Sequence, residues 1–368
     1  RLDDLLEVVV QQGASDLHIT SGSAPALRLN GRLEAIEDVE PLTPDDCRGL
    51  VYRILSSEQQ KLLEVNRQID LSYALPGIAR FRVNAFFQRD SLAAALRMIP
   101  MELKALADLG LPTSLYDLAG RPRGLVLVTG PTGSGKSTTL SALIDEINRT
   151  RNDHIVTIED PIEFLHSHKS CIVNQREIGP DAVSFAEALR GALRQDPDVI
   201  LLGEMRDLET ISTALTAAET GHLVLATLPT QDAGSTVDRL IDVFPPAQQS
   251  QIRIQIAGSL QGVVSQALLP TVDRRGRAPA VEILIPDDAV RNLIRQGKVE
   301  QIYTVMQTQT KRGMQTMEQS LADLVRRGRI TRETALSRSS RPDQLEGLIA
   351  RGNSVTADSS GGGALTIV

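Results

Sequence analysis

Hydrophobic positions along this chain change their spacing twice, and each change marks a boundary. From residue 2 to residue 12 they recur at helical intervals, with Leu2, Leu5, Leu6, Val9 and Val10 on one face. Short alternating runs follow. Leu17-His18-Ile19 and Ala26-Leu27-Arg28-Leu29 predict strands joined by a turn rich in Ser, Gly and Pro. Asn30-Gly31 predicts a type I′ hairpin turn into a third strand over 32–36. Thr43 has the chemistry of an N-cap, with Pro44 at the first helical position and acids behind it, so a helix is expected to about residue 55. A second helix is expected over 57–65, and strands over 69–73, 79–88 and 92–98. Helices laid on an antiparallel sheet are the natural packing for that order.

The first change comes at residues 100–120, punctuated by Pro112 and Gly120. After it, apolar runs at 125–129, 154–159, 199–202 and 222–227 alternate with amphipathic segments such as 137–149 and 184–195. Strands that are apolar on both faces belong in the middle of a mostly parallel α/β sheet. The second change lies near Asp242, beyond which the pattern turns helical, interrupted by a hairpin across residues 273–276. The chain ends in a Gly/Ser-rich stretch. The expected organisation is therefore an N-terminal domain over 1–100, a linker over 101–120, an α/β domain with a C-terminal helical region over 121–350, and a disordered tail over 351–368. No internal repeat is present.

Composition narrows the function classes. With 41% hydrophobic and 23% charged residues the chain is globular. A net charge of −7 argues against a task dominated by neutralising a phosphate backbone, and 3% aromatic residues with no Trp argue against a stacking platform for single-stranded bases. Cys47 and Cys171 are too few and too far apart for a disulfide scaffold or a thiolate zinc site, and fit a reducing compartment. No apolar run is long enough to span a membrane, and no signal-peptide pattern opens the chain. A soluble, cytosolic protein is expected, starting just inside its natural terminus because the first residue is Arg1.

Three segments carry chemistry. Gly130-Pro131-Thr132-Gly133-Ser134-Gly135-Lys136-Ser137-Thr138 is a complete P-loop pattern between an apolar strand and an amphipathic helix. Its glycines let backbone N–H groups converge on phosphate oxygens at a helix N-terminus. Lys136 is expected on the β- and γ-phosphates of ATP, and Ser137 on Mg²⁺. The second segment, Asp198-Val-Ile-Leu-Leu-Gly-Glu204, is a buried strand that delivers a carboxylate to the mouth of the sheet, where an acid can hold Mg²⁺ through water. The third contains Glu159, Asp160 and Glu163 within five positions after a strand. Hydrolysis needs one carboxylate to orient the attacking water, and the residues alone do not choose among these three. His166-Ser-His168 lacks further ligands for a metal and is expected to be solvent-exposed.

The P-loop, the Glu159-Asp-Pro-Ile-Glu163-Phe box, the Asp196-Pro-Asp-Val-Ile-Leu-Leu-Gly-Glu204-Met-Arg-Asp segment and Thr216-Ala-Ala-Glu-Thr-Gly-His222 together resemble the secretion ATPase superfamily, most of all its PilT-type retraction ATPases of type IV pili. Ala14-Ser-Asp-Leu-His18 and Ala289-Val-Arg-Asn-Leu-Ile-Arg295 are similar to signatures of that branch. The likeness extends over residues 1 to 350. The tetracysteine zinc site of the related extension ATPases is absent.

The resemblance implies a PAS-like α+β N-terminal domain, a RecA-like ATPase domain, and a homohexameric ring with ATP between the two domains. It makes Glu163 the residue that polarises the attacking water and Glu204 the Mg²⁺-site carboxylate. It also brings Arg82 and Arg97 to the phosphates and adds His222 to the catalytic set. It implies a pilus-retraction motor serving twitching motility, cytoplasmic and peripheral at the inner membrane. Its partners would be an inner-membrane platform protein and a paralogous motor ATPase, with no nucleic acid and no direct membrane insertion. The segment 289–295 would matter for retraction, although Arg291 and Arg295, four apart, otherwise suit one solvated helix face.

One departure stands out. The family's second histidine-box His is replaced here, in Thr227-Leu228-Pro229-Thr230, by a residue that can neither donate nor accept a proton. That substitution motivates an alternative reading, a hydrolysis-poor accessory subunit that depends on an active paralogue. A nucleic-acid translocase on the same core is a further alternative, opposed by the acidic charge and scarce aromatics.

Overall fold

The computed structural model describes residues 1–29, 32–99 and 103–357. The chain divides into two compact units. The first comprises residues 1–103 together with 160–165 and 177–181, and the second comprises the remainder.

The first unit carries a six-stranded antiparallel sheet of β1 (Asp16–Ile19), β2 (Ala26–Leu29), β3 (Arg32–Ala35), β4 (Gln68–Leu75), β5 (Ala79–Gln88) and β6 (Ser91–Ile99), in the order β3-β2-β1-β6-β5-β4. Alternation makes the sheet two-faced. Leu17, Leu27, Phe81, Val83 and Leu96 point into the core, where helix Leu2–Gln12 adds Leu2, Leu6 and Val9, and helix Pro44–Tyr52 adds Cys47 and Val51. Thr43 caps the latter helix as its sequence predicts, exchanging hydrogen bonds with Asp46. The Asn30-Gly31 turn lies outside the described residues; the strands it joins pair with Leu29 opposite Arg32.

In the second unit a seven-stranded sheet has the order β13-β12-β7-β11-β10-β8-β9. Its strands are β7 (Gly124–Thr129), β8 (His154–Glu159), β9 (Ile172–Glu177), β10 (Val199–Leu202), β11 (Leu223–Leu228), β12 (Leu260–Pro270) and β13 (Arg277–Leu284). β12, β7, β11, β10 and β8 run parallel, and β13 returns antiparallel on β12. Every residue of β7, β10 and β11 is buried, as their unbroken apolar runs require.

Two sequence expectations are corrected. Residues 104–120, expected as a linker, belong to the second unit, because Leu106, Leu115 and Leu118 are buried in its main core beside Val126, Leu143 and Val264. Helix Pro342–Ala357 carries regular structure past residue 351, where a disordered tail was expected. Leu345 and Ile349 anchor its first turns against Leu321 and Ile330, and adding residues to a helix already nucleated is easy. Residues 358–368 lie outside the described residues.

Glu282 on β13 is 4% exposed and accepts hydrogen bonds from the backbone of Ala233 (2.8 Å) and Met317 (3.4 Å), at the N-termini of two helices. Burial nevertheless pushes its carboxyl up to about 7, against the pull of those N–H groups and with the nearby Asp232 charge adding to the rise. In the unfolded chain this acid ionises near its ordinary value of 4.5, so the folded state holds the proton more tightly between the two values. Stability from Glu282 is therefore present at low pH and lost as pH rises through about 7. Relative to Glu282→Gln, the wild type should gain melting temperature between pH 8 and pH 6, by about 2 °C for a shift of ~1 kcal/mol. Thermal melts of the pair across that range check this, and a pH-independent difference would contradict it.

Candidate functional site

Parallel register sets the site. Ile158, Leu202, Ala226 and Leu127 lie side by side on β8, β10, β11 and β7, so the P-loop, the acidic box, Glu204 and Pro229 all leave the sheet at its carboxyl edge. That edge is where open α/β sheets bind ligands.

The P-loop turns from β7 into helix Lys136–Thr150. Gly130, Gly133 and Gly135 have φ of +143°, +80° and +90°, a region in which a side chain is strained. Two of them are also constrained by space. A Cβ on Gly130 would lie 2.4 Å from the Gln266 carbonyl oxygen, and one on Gly135 would lie 2.9 Å from the Gln266 side-chain nitrogen. Lys136 Nζ donates to the carbonyls of Gly130 (2.9 Å) and Pro131 (3.0 Å), which holds the ammonium over the loop. Ser137 follows within the first helical turn. Glycine cradle, ammonium, hydroxyl and helix N-terminus form a donor set that suits a polyphosphate with its divalent cation. Among the described residues no cluster of His, Cys, Asp and Glu could hold a metal by itself, so Mg²⁺ would need phosphate ligands as well.

Glu204 stands just beyond β10, half-buried and paired with the exposed Arg206 at 2.6 Å. Its segment is fastened by Gly203 N–H to Ile158 O and by Met205 N–H to Thr227 O. In the acidic box, Glu159 is engaged by Thr157 Oγ1 (2.6 Å) and Gln175 Nε2 (3.2 Å), whereas Asp160 and Glu163 are exposed. Glu163 belongs to the segment that clusters with the first unit. Glu177, 3% exposed, holds that segment in place by accepting from Arg80 (3.1 Å) and from Ile162 N–H (3.1 Å). Sequence reasoning missed Glu177, because its two partners lie 97 and 15 positions away.

Arg82 and Arg97 are directly opposite each other on β5 and β6, on the solvent face of the antiparallel sheet. Asp16 on β1 pairs with Arg97 at 2.8 Å. Burial raises the Asp16 carboxyl, but hydrogen bonds from Ser15 and Arg97 outweigh it and hold the group below the ordinary carboxylate range. His18 and Arg28 share this face; burial and the Arg28 charge keep the His18 imidazole below its usual value.

His222 does not join the residues at the carboxyl edge. Its carbonyl accepts from Gly124 N–H and its Nδ1 lies 3.0 Å from Ala217 O, at the amino end of β11. The length of that strand, about 20 Å for six residues, separates it from its own chain's P-loop. The catalytic expectation for His222 thus has no geometric basis within one chain. The position that does adjoin the loop is 229, since Gly130 N–H donates to Leu228 O.

Two smaller expectations change as well. His166 is not solvent-exposed: burial drives its imidazole down to about 4, with the Asp145 charge opposing. Arg291 is half-buried in helix Asp288–Gln296 and donates to Ala257 O, near the end of helix Pro246–Ser259. Burial lowers the Arg291 pKa, and only Arg295 of the pair stays exposed.

Comparison with known proteins agrees with this geometry. A type IV pilus retraction ATPase, PilT, of Pseudomonas aeruginosa is 48% identical over 344 residues, which cover 94% of this chain and 99% of that protein. The type IV pilus ATPase PilU of the same organism is 40% identical, covering 97% of this chain and 93% of its own. The crystal structure of the pilus retraction motor PilT with bound ADP superposes with a TM-score of 0.88 at 50% identity, covering 94% of this chain and 99% of that one. The type II/IV secretion system protein family matches residues 1–275, and the chain belongs to that family.

Proposed function

We propose that this protein is the ATP-hydrolysing motor of type IV pilus retraction, working as a homohexamer that drives twitching motility by releasing pilin at an inner-membrane platform. The observation that carries this reading is the 48% identity to a retraction ATPase across 94% of the chain, with the P-loop built in full. Lys136 and the loop's backbone donors bind the phosphates of ATP. Ser137 and Glu204 are the residues that would hold Mg²⁺, Glu204 by exchanging Arg206 for the cation's water shell. Bound Mg²⁺ supplies charge neutralisation on the β- and γ-phosphates.

Glu163 is assigned to orienting the attacking water. Its exposure supports the choice over Glu159, whose carboxylate is already held by Thr157 and Gln175. Arg82 and Arg97 are assigned to charge on the transferring phosphoryl group. Two arginines abreast on one sheet face repel each other, and only Arg97 has the Asp16 carboxylate beside it, so an anion would relieve them. The motor would work at the cytoplasmic side of the membrane, and no helix among the described residues is long and apolar enough to cross one. The likeness to PilU makes a paralogous motor ATPase a candidate partner.

Pro229 favours one second reading, an accessory subunit that binds nucleotide and hydrolyses little of it. Steady-state ATP turnover of the purified protein beside Pro229→His separates the two. Robust turnover by both is expected and makes the chain an autonomous motor, whereas turnover only in the variant would establish the accessory subunit. Lys136→Ala should weaken ATP binding by roughly 100-fold, the effect of losing charged contacts to phosphate. Unchanged affinity in a titration with a fluorescent ATP analogue would contradict the P-loop assignment. Glu163→Gln should keep that affinity and lose turnover by about 100-fold or more. Normal turnover in this variant would move the water-orienting role to another acid.

A further inference from the structure

Gln266 lies on β12, 2% exposed, more than a hundred positions from the P-loop, and its side chain spans that loop's base. Its Nε2 donates to Ser134 O at 2.6 Å, and its Oε1 accepts from Thr139 Oγ1 at 2.8 Å. The amide can take only this orientation, because the Ser134 carbonyl has no proton to give. In a planar trans peptide the C=O and the following N–H point in opposite directions. Fixing the Ser134 carbonyl toward β12 therefore turns the Gly135 N–H the other way, away from β12. The absence of a Cβ at Gly135 is what lets the Gln266 amide come this close.

We infer that Gln266 is a positioning residue for phosphate binding: it locks the Ser134–Gly135 peptide so that the Gly135 N–H is presented to the nucleotide's phosphates. This rests on the nucleotide-binding reading of the P-loop. Thr139, one position past the motif, is the second anchor, and its hydroxyl keeps the amide from rotating. Without the lock the peptide can flip, presenting a carbonyl oxygen instead of a donor to an anion. The role concerns binding more than chemistry, since Lys136, Ser137 and the carboxylates are untouched.

The test compares the full-length wild type with Gln266→Leu, Gln266→Glu and Thr139→Val. Mg-ADP affinity, KM and kcat for ATP, and melting temperature without nucleotide are measured for each. Gln266→Leu should weaken ADP binding and raise KM about tenfold at every pH, with kcat changed by no more than about twofold. Gln266→Glu can still accept from Thr139 but sets an acceptor against the Ser134 carbonyl. It should bind ADP poorly at pH 8 and recover at pH 6, where the protonated acid regains a donor. Thr139→Val, the milder change, should weaken ADP binding about threefold and keeps the test decisive if the Gln266 variants do not fold.

Wild-type ADP affinity in the folded variants, with only the melting temperature lowered, would overturn the inference and leave Gln266 a structural bridge. A Gln266→Glu defect indifferent to pH would overturn it equally. Failure of the wild type itself to bind ADP would overturn the nucleotide reading and the inference together.

Discussion

The parallel register of β7 with β11, from Gly124 beside Leu223 to Thr129 beside Leu228, is the constraint on which the rest of the second unit depends. It aligns the ends of four strands, so that segments distant in sequence leave the sheet together. A slip of one residue would turn every side chain of these strands to the opposite face, and burial on both faces makes that costly. The same register separates His222 from Pro229, at opposite ends of β11. Residue 229 is carried to the P-loop, and His222 stays at the far end.

At that edge the chain must present backbone donors to an anion while burying the strands beneath them. Positive φ at Gly130, Gly133 and Gly135 turns the loop, and β12 supports it from behind. Thr129 and Ser265 share a hydrogen bond of 2.7 Å across β7 and β12, one residue before Gln266. Opposite Ser265 on β13 stands Glu282, whose carboxylate meets the N-terminus of helix Ala233–Asp242. Polar residues paired across β7, β12 and β13 thus lie between the P-loop strand and the helix that follows residues 229–232. In the first unit the acidic box is treated similarly, with buried Glu177 binding its backbone and Arg80 balancing the charge.

Much of this was legible in the residues, for identifiable reasons. Strands β2, β5, β8 and β10 have the boundaries their patterns predict, because alternation or an unbroken apolar run defines them. The P-loop needed only local spacing. Strand β9 was missed because Ile172, Asn174, Gln175 and Arg176 are exposed or half-buried, leaving no apolar run to detect. Residues 104–120 read as a linker because Pro and Gly punctuate them, while their three buried leucines are too dispersed to form a periodic face. Gln266, Glu177 and Glu282 carried no signal for a different reason. Each is a single polar residue in a strand, and its partners come from elements that only the fold brings near.

Pro229 shows how backbone and chemistry separate at one position. It follows the last residue of β11, so the N–H that proline lacks is not needed for the strand ladder, which ends at Leu228 pairing with Thr129. The side chain is exposed, and the chain beyond it is secured independently: Thr230 and Thr236 share a hydrogen bond of 2.6 Å, and Asp232 caps the next helix. Proline is therefore compatible with the fold here, and the fold does not demand it. At residue 229 the chain places beside the P-loop a side chain that carries no proton, and the backbone geometry there is met without one.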